Sequence, residues 1–172
     1  MGSPSKYFPE SKKVSIDKFI SNALYDKNYG YYSKKIPFGQ DGDFITSPGI
    51  TSLFSESIAL WVISLWLNAG KPKIFNIVEL GPGNGQMCKT LISVFKKFPT
   101  FFNSVNIFLY ERSKTLEKLQ RNNLNQKNIK WIKNFNKIKK GPIIFIGNEF
   151  FDAIPIKQFQ RINNILYERY VK

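Results

Sequence analysis

At 172 residues and 20.0 kDa the chain has the length of one domain, and with 42% hydrophobic and 16% aromatic residues it can bury a core and does not read as disordered. With no histidine and a single cysteine, Cys88, it offers no internal disulfide, no zinc or copper donor set and no Ser-His or Cys-His nucleophile. The formal net charge of +14 would suit nucleic acid, anionic lipid or an acidic protein. The lysines are scattered rather than gathered, however, and heavy use of Lys, Asn and Ile with little Ala marks an AT-rich coding sequence. Nucleic acid is therefore the weakest partner class.

Residues 1–14 read as a flexible leader, with Met1-Gly2-Ser3-Pro4 either native or an expression remnant. They lack the apolar stretch of a secretory signal, and no apolar run approaches the eighteen or so residues of a membrane span. Ser15 is placed to cap a helix that has Asp17 in its first turn. Ile16, Phe19, Ile20, Ala23 and Leu24 recur at helical spacing, to an end near Asp26. Tyr29-Gly30-Tyr31-Tyr32 reads as a short extended or turn segment, and residues 37–48 as a polar loop. A second helix is expected from near Ser47 to about Asn68, with Gly70 and Pro72 as stop signals.

Strands and helices then alternate. Strands are expected at Ile74–Leu80, Val105–Tyr110, Ile129–Ile132 and, as a buried strand, Pro142–Gly147. Helices are expected from about Gln86 to Lys97 and from Ser113 to about Leu124. Lys157–Ile162 and Ile165–Val171 flank Asn163-Asn164, two residues that tolerate positive φ, and so read as a hairpin. The alternation predicts an α/β fold with a mostly parallel, Rossmann-like sheet.

The first of these strands runs into Glu79-Leu80-Gly81-Pro82-Gly83-Asn84-Gly85. Gly81, Gly83 and Gly85 let the chain turn sharply and bring its backbone close to a ligand. Their Gly-x-Gly-x-Gly spacing departs from the dinucleotide pattern. Glu79 would repel a pyrophosphate but suits a cationic amino-acid portion, which favours S-adenosylmethionine over NAD. Glu111 ends the second strand, near the spacing expected of a ribose-binding acid. Asn148-Glu149-Phe150-Phe151-Asp152-Ala153-Ile154-Pro155 follows the strand at 142–147. Its carboxylates and rings suit a planar cation such as a guanidinium. In the plainer reading, Phe150 and Phe151 are core and Asp152 caps a turn.

Together with Ala23-Leu24-Tyr25, Tyr29-Gly30-Tyr31-Tyr32 and Gly42-Asp43-Phe44-Ile45-Thr46-Ser47-Pro48, these segments resemble the MidA-like (DUF185) family, which includes the methyltransferase of mitochondrial complex I assembly and its bacterial relatives. The resemblance implies a class I S-adenosylmethionine-dependent methyltransferase fold with S-adenosylmethionine as cofactor. It implies that Gly81, Gly83 and Glu111, with Glu79 and Gly85, hold the cofactor. Phe44 and Thr46 would line the same pocket, and Asn148, Glu149 and Asp152 would face the methyl group and its acceptor, Glu149 and Asp152 as catalytic residues. Three positions depart from the family pattern: Gly49 stands for Glu, Asn84 for Arg and Gln86 for Thr. They bear on cofactor affinity and acceptor choice.

Family members are longer, so the resemblance implies a sheet truncated at its C-terminal strands. It divides the chain into a helical region at 15–72 closing over the cofactor, a cofactor-binding core at 73–156, and a hairpin at 157–172 that begins a substrate-side insertion. The implied activity is protein arginine methylation linked to complex I, with a protein partner and no metal. The place would be mitochondrial in a eukaryote or cytoplasmic in a bacterium. Two alternatives are a catalytically incomplete cofactor- or partner-binding fragment, and a nucleic-acid methyltransferase. The Asn-Pro-Pro-Tyr motif common among amino-group nucleic-acid methylases is missing.

Overall fold

The computed structural model describes residues 13–34, 51–124 and 128–172. Phe44, Thr46, Gly49 and the loop expected over 37–48 lie outside them. The chain forms two units, one of Met1–Lys35 with Phe151–Lys172 and the other of Ile36–Phe150.

The second unit is built on a parallel sheet of β2 (Phe75–Leu80), β3 (Val105–Tyr110), β4 (Ile129–Ile132) and β5 (Ile143–Ile146), in the order β4-β3-β2-β5. Register sets Ile77 beside both Ile107 and Ile144. β2 is buried from Phe75 to Glu79, as its unbroken apolar run requires of a central parallel strand. One sheet face carries Phe75, Ile77, Ile107, Leu109 and Ile129. It packs against α3 (Ser52–Asn68), α4 (Gln86–Phe95), α5 (Pro99–Ser104) and Leu124, the residue that ends α6 (Lys114–Asn123). Phe101 on α5 is the hub, its ring centre 4.9 Å from Phe95, 5.4 Å from Trp66 and 6.1 Å from Phe75.

α3 begins at Ser52 rather than near Ser47, because extended Thr51 is the cap and its side chain accepts from Leu53 N at 3.2 Å. It ends as Gly70 and Pro72 predict. Gly70 N bonds Leu67 O at 3.0 Å and Lys71 N bonds Trp66 O at 3.0 Å, the paired closure that a left-handed glycine permits. α5 falls in a stretch left without an element by the sequence reading; Pro99 sits in its first turn, where the missing N–H costs nothing.

The opposite face carries the smaller of the two core clusters among the described residues. Val78, Phe108 and Ile132 pack there with Leu80, Tyr110 and Ile138. The expectation of a buried strand at 142–147 is corrected: β5 pairs only with β2 among the described residues, and Phe145 remains 51% exposed. Strand alternation sends Ile144 and Ile146 toward the main core and leaves Ile143 and Phe145 on the opposite face.

The first unit holds β1 (Val14–Ser15), α1 (Ile16–Tyr25), α2 (Tyr31–Lys34), β6 (Phe159–Ile162), β7 (Ile165–Glu168) and β8 (Tyr170–Val171). Ser15 precedes α1 as the cap residue but makes no side-chain capping bond. After α1, Asp26 Oδ1 accepts from Asn28 N at 2.8 Å and Tyr29 N at 3.0 Å. Gly30 has no space for a Cβ, which would fall 2.4 Å from Asp26 N. The chain then starts α2 at Tyr31, not an extended segment, and Tyr32 stacks on Tyr25 at 5.7 Å. The hairpin forms as expected, with Asn163 and Asn164 at φ 47° and 62°. Its second strand stops at Glu168, short of Val171: Arg169 N turns to Gln158 O at 2.8 Å, and β8 pairs antiparallel with β1.

Candidate functional site

β2 delivers the glycine loop to the C-terminal end of the sheet, the end where open α/β sheets bind ligands. Gly81, Gly83 and Gly85 have φ 62°, 57° and 83°, values that strain any residue with a side chain. Gly81 N donates to Tyr110 O at 3.0 Å, tying the loop to the end of β3. A Cβ on Gly81 would stand 2.8 Å from the Phe150 ring, and one on Gly85 3.0 Å from Leu124. Asn84 Oδ1 accepts from Gln86 N at 3.0 Å as α4 begins. Gly81 is exposed, Gly83 half-buried and Gly85 buried.

Glu111, 7% exposed, is joined to this loop. Its Oε1 accepts from Ser113 N at 2.8 Å and its Oε2 from Gln120 Nε2 at 3.1 Å. The same Gln120 nitrogen donates to Gly83 O at 2.8 Å, and Asn123 Nδ2 donates to Asn84 O at 3.0 Å. Lys133 Nζ donates to Glu111 O. Burial raises the Glu111 pKa, and the bonds from Ser113 and Gln120 with the Lys133 charge oppose it. Each carboxylate oxygen can accept more than one donor, so neighbouring hydroxyls can still be received. Gln120 and Asn123 were not singled out in the sequence. Their signal is an amide at 120 on the helical stripe shared by apolar Leu116 and Leu124.

Glu79 is 2% exposed and shares the core side of β2 with Ile77. Burial lifts its carboxyl to about 8, so it carries its proton at neutral pH. The sequence reading has a charged carboxylate beside the loop; the structure holds a neutral acid in the core, because among the described residues its Oε2 has no partner to offset desolvation. Burial pushes the Cys88 thiol well up, and Glu79 adds to the rise once it has ionised. A buried acceptor with no donor among the described residues, two residues before a loop of three left-handed glycines that is linked to a second acid, fits a ligand with both an ammonium and a sugar diol.

Past β5, Asn148 is half-buried and Glu149 is exposed. Glu149 takes φ 52°, a cost that functional positions retain. Phe150 packs on Gly81 and meets Tyr110 edge-on at 6.4 Å. Phe150 is half-buried and Phe151 71% exposed, so neither is a core residue, and Phe150 packs as the cover of Gly81. Asp152 lies in a 3₁₀ turn, Phe151–Ala153, of the other unit, where Tyr25 Oη donates to Ala153 O at 2.6 Å. Gly81, Gly83, Gly85 and Glu111 are thus drawn together by bonds and packing, and Asn148 and Glu149 share their unit. Asp152 does not share it.

Among the described residues, no helix is long and apolar enough to cross a membrane, and no group of three or more His, Cys, Asp or Glu could hold a metal. A family model described as "Putative S-adenosyl-L-methionine-dependent methyltransferase" matches residues 57–172. The chain is 31% identical over 175 residues to the mitochondrial protein arginine methyltransferase NDUFAF7 of Xenopus laevis, covering 88% of this chain and 40% of that protein. It is 36% identical over 164 residues to the mitochondrial NDUFAF7 homolog of Caenorhabditis elegans, covering 83% and 38%. The chain therefore spans about 40% of the length of such relatives. Its fold matches a COG1565 superfamily crystal structure from Burkholderia thailandensis bound to S-adenosyl-homocysteine, with TM-score 0.75, 22% identity, and coverage of 96% of this chain and 44% of that one.

Proposed function

This chain belongs to the methyltransferase family matched over residues 57–172, and from that premise we propose that it carries the cofactor-binding part of an S-adenosylmethionine-dependent protein arginine methyltransferase. One observation supports this most: the loop of three left-handed glycines after β2 is hydrogen-bonded at Gly83 O, through Gln120, to the buried acid that follows β3. In this reading Gly81 and Gly83 admit the cofactor to the backbone, with Gly85 setting the turn into α4. Glu111 accepts the ribose hydroxyls, Glu79 receives the ammonium, and Phe44, Thr46 and Asn148 complete the pocket. S-adenosylmethionine supplies an electrophilic methyl on a sulfonium. Glu149 orients the acceptor guanidinium and draws a proton from its attacking nitrogen, a role that the family resemblance also gives to Asp152. Positioning carries most of the rate, because the two reactants must meet in line.

The acceptor is a protein arginine, with a complex I subunit as the assignment that the family resemblance suggests. The corresponding place is the mitochondrion in a eukaryote or the cytoplasm in a bacterium. Residues 157–172 would open the substrate-side part of the molecule. A second reading, a cofactor-binding fragment without transfer, is favoured by β5 pairing only with β2 among the described residues and by its exposed Phe145.

Calorimetric titration with S-adenosylhomocysteine tests cofactor binding, and methyl transfer to arginine-containing peptides separates the two readings. Glu149→Gln should lower transfer about a hundredfold or more while leaving S-adenosylhomocysteine affinity unchanged. Undiminished transfer would remove Glu149 from the chemistry, and no binding by the wild-type chain would remove the cofactor.

A further inference from the structure

We propose that Gln120 is a positioning residue that sets Glu111 and the glycine loop at one fixed separation, with the Trp131 indole deciding which way its amide faces. This role presupposes that the loop and Glu111 hold S-adenosylmethionine. Gln120 is fully buried, at a site where an apolar side chain would avoid the cost of desolvating an amide. Trp131 Nε1–H can only donate, and it lies 2.9 Å from Gln120 Oε1. That contact settles the amide orientation, and Nε2 must face the other way. Its two protons then meet two acceptors, Gly83 O at 2.8 Å and Glu111 Oε2 at 3.1 Å. With Ser113 N on Oε1 at 2.8 Å, the carboxylate is gripped at both oxygens and cannot rotate.

Trp131 is itself held. Arg121 Cζ lies 4.0 Å from the centre of its ring, and Arg121 pairs with Glu117 at 2.8 Å. Glu117 also pairs with Lys133 at 2.9 Å, the same Lys133 that bonds Glu111 O. Asn123, three residues beyond Gln120, takes the next loop carbonyl, Asn84 O, at 3.0 Å. One face of α6 therefore holds two consecutive loop carbonyls and the acid. A residue that only filled space would need no donor directed at each.

The test is S-adenosylhomocysteine titration of the 172-residue chain, wild type against Gln120→Glu and Trp131→Phe, from about pH 5.5 to about pH 8.5. At the upper end Gln120→Glu sets a second carboxylate against Glu111, and affinity should fall about tenfold or more. At the lower end the new acid keeps a proton that it can donate to Glu111, and affinity should return to within about threefold of wild type. The charged neighbours Glu117, Arg121 and Lys133 are the same in both proteins, so the pH effect belongs to the new pair. Trp131→Phe keeps a ring but loses the N–H, and should cost about threefold to tenfold throughout the range. Gln120→Glu binding like wild type at the upper end, or weakened equally at every pH while circular dichroism stays native, would overturn the role. A wild-type chain that binds no S-adenosylhomocysteine instead overturns the cofactor reading on which the role stands.

Discussion

Glu79→Gln should flatten the pH dependence of folding stability. Burial raises the Glu79 carboxyl from 4.5 to about 8, and among the described residues its Oε2 has no partner. Below pH 4.5 the folded and unfolded chains both keep the proton, and Glu79 costs nothing. As pH rises the unfolded chain ionises first, so stability drains away until the folded form also ionises near pH 8. At about 1.4 kcal/mol for each pH unit, that window amounts to about 3 to 5 kcal/mol, the lower end allowing for local relaxation around the charge. Gln cannot ionise, though its new N–H groups enter a site with no known acceptor, at about 1 to 3 kcal/mol. The variant should therefore be less stable than wild type near pH 5 and more stable near pH 9. Urea unfolding followed by tryptophan fluorescence at several pH values gives both curves. Glu111, also raised by burial, is common to both and cancels in the difference. Parallel curves would refute the reasoning. If Glu79 meets a ligand ammonium, S-adenosylhomocysteine binding at neutral pH should release a proton from wild type and none from the variant, read by calorimetry in buffers of different ionisation heat.

Gly81→Ala combines a left-handed φ with a Cβ 2.8 Å from Phe150; it should cost about 1 to 3 kcal/mol in urea unfolding and weaken S-adenosylhomocysteine binding, and a variant matching wild type in both would show that the loop has slack. Glu149→Gly should do the reverse, gaining about 1 kcal/mol from its φ of 52° while losing methyl transfer; a loss of stability would mean that the Glu149 side chain supports the fold. Asn164→Gly, at φ 62° in the hairpin turn, should raise stability by about 0.5 kcal/mol in the same unfolding assay, with no effect on cofactor binding.

The sheet was legible because its strands carry a pattern that packing enforces. β3 and β4 have the bounds that the apolar runs predict, and the two Asn residues mark the hairpin turn. What escaped lacks such a pattern. α5 spans only six residues, too short for a helical period, yet it brings Phe101 to the centre of the core. The pairing of β1 with β8 joins segments of two residues that are distant in sequence. β5 reads as buried from its composition, but exposure depends on what lies beside it and over its second face, which a run of four apolar residues cannot state. At the site, Gly81, Gly83, Gly85 and Glu111 could be found by spacing. Gln120 could not, because its partners come from β4, the glycine loop and the end of β3. The neutral state of Glu79 was equally hidden, since a motif shows that a carboxyl is present and not whether any donor reaches it.

α6 joins stability to binding. Leu116 is buried and Leu124 enters the main core, while Gln120 and Asn123 hold the glycine loop. Leu124 also lies where a Cβ on Gly85 would fall. The helix cannot shift without changing both the core and the loop, because packed interiors resist small displacements. Ser113 adds a third link: it caps α6, accepting from Leu116 N at 3.3 Å, and its own N–H binds Glu111. A ligand that draws the loop and Glu111 together would thus act on the helix at its start and along its buried face. The cost of ordering the loop and Glu111 against α6 has largely been met by folding, and this is the physical basis for expecting these residues to move little when a ligand binds.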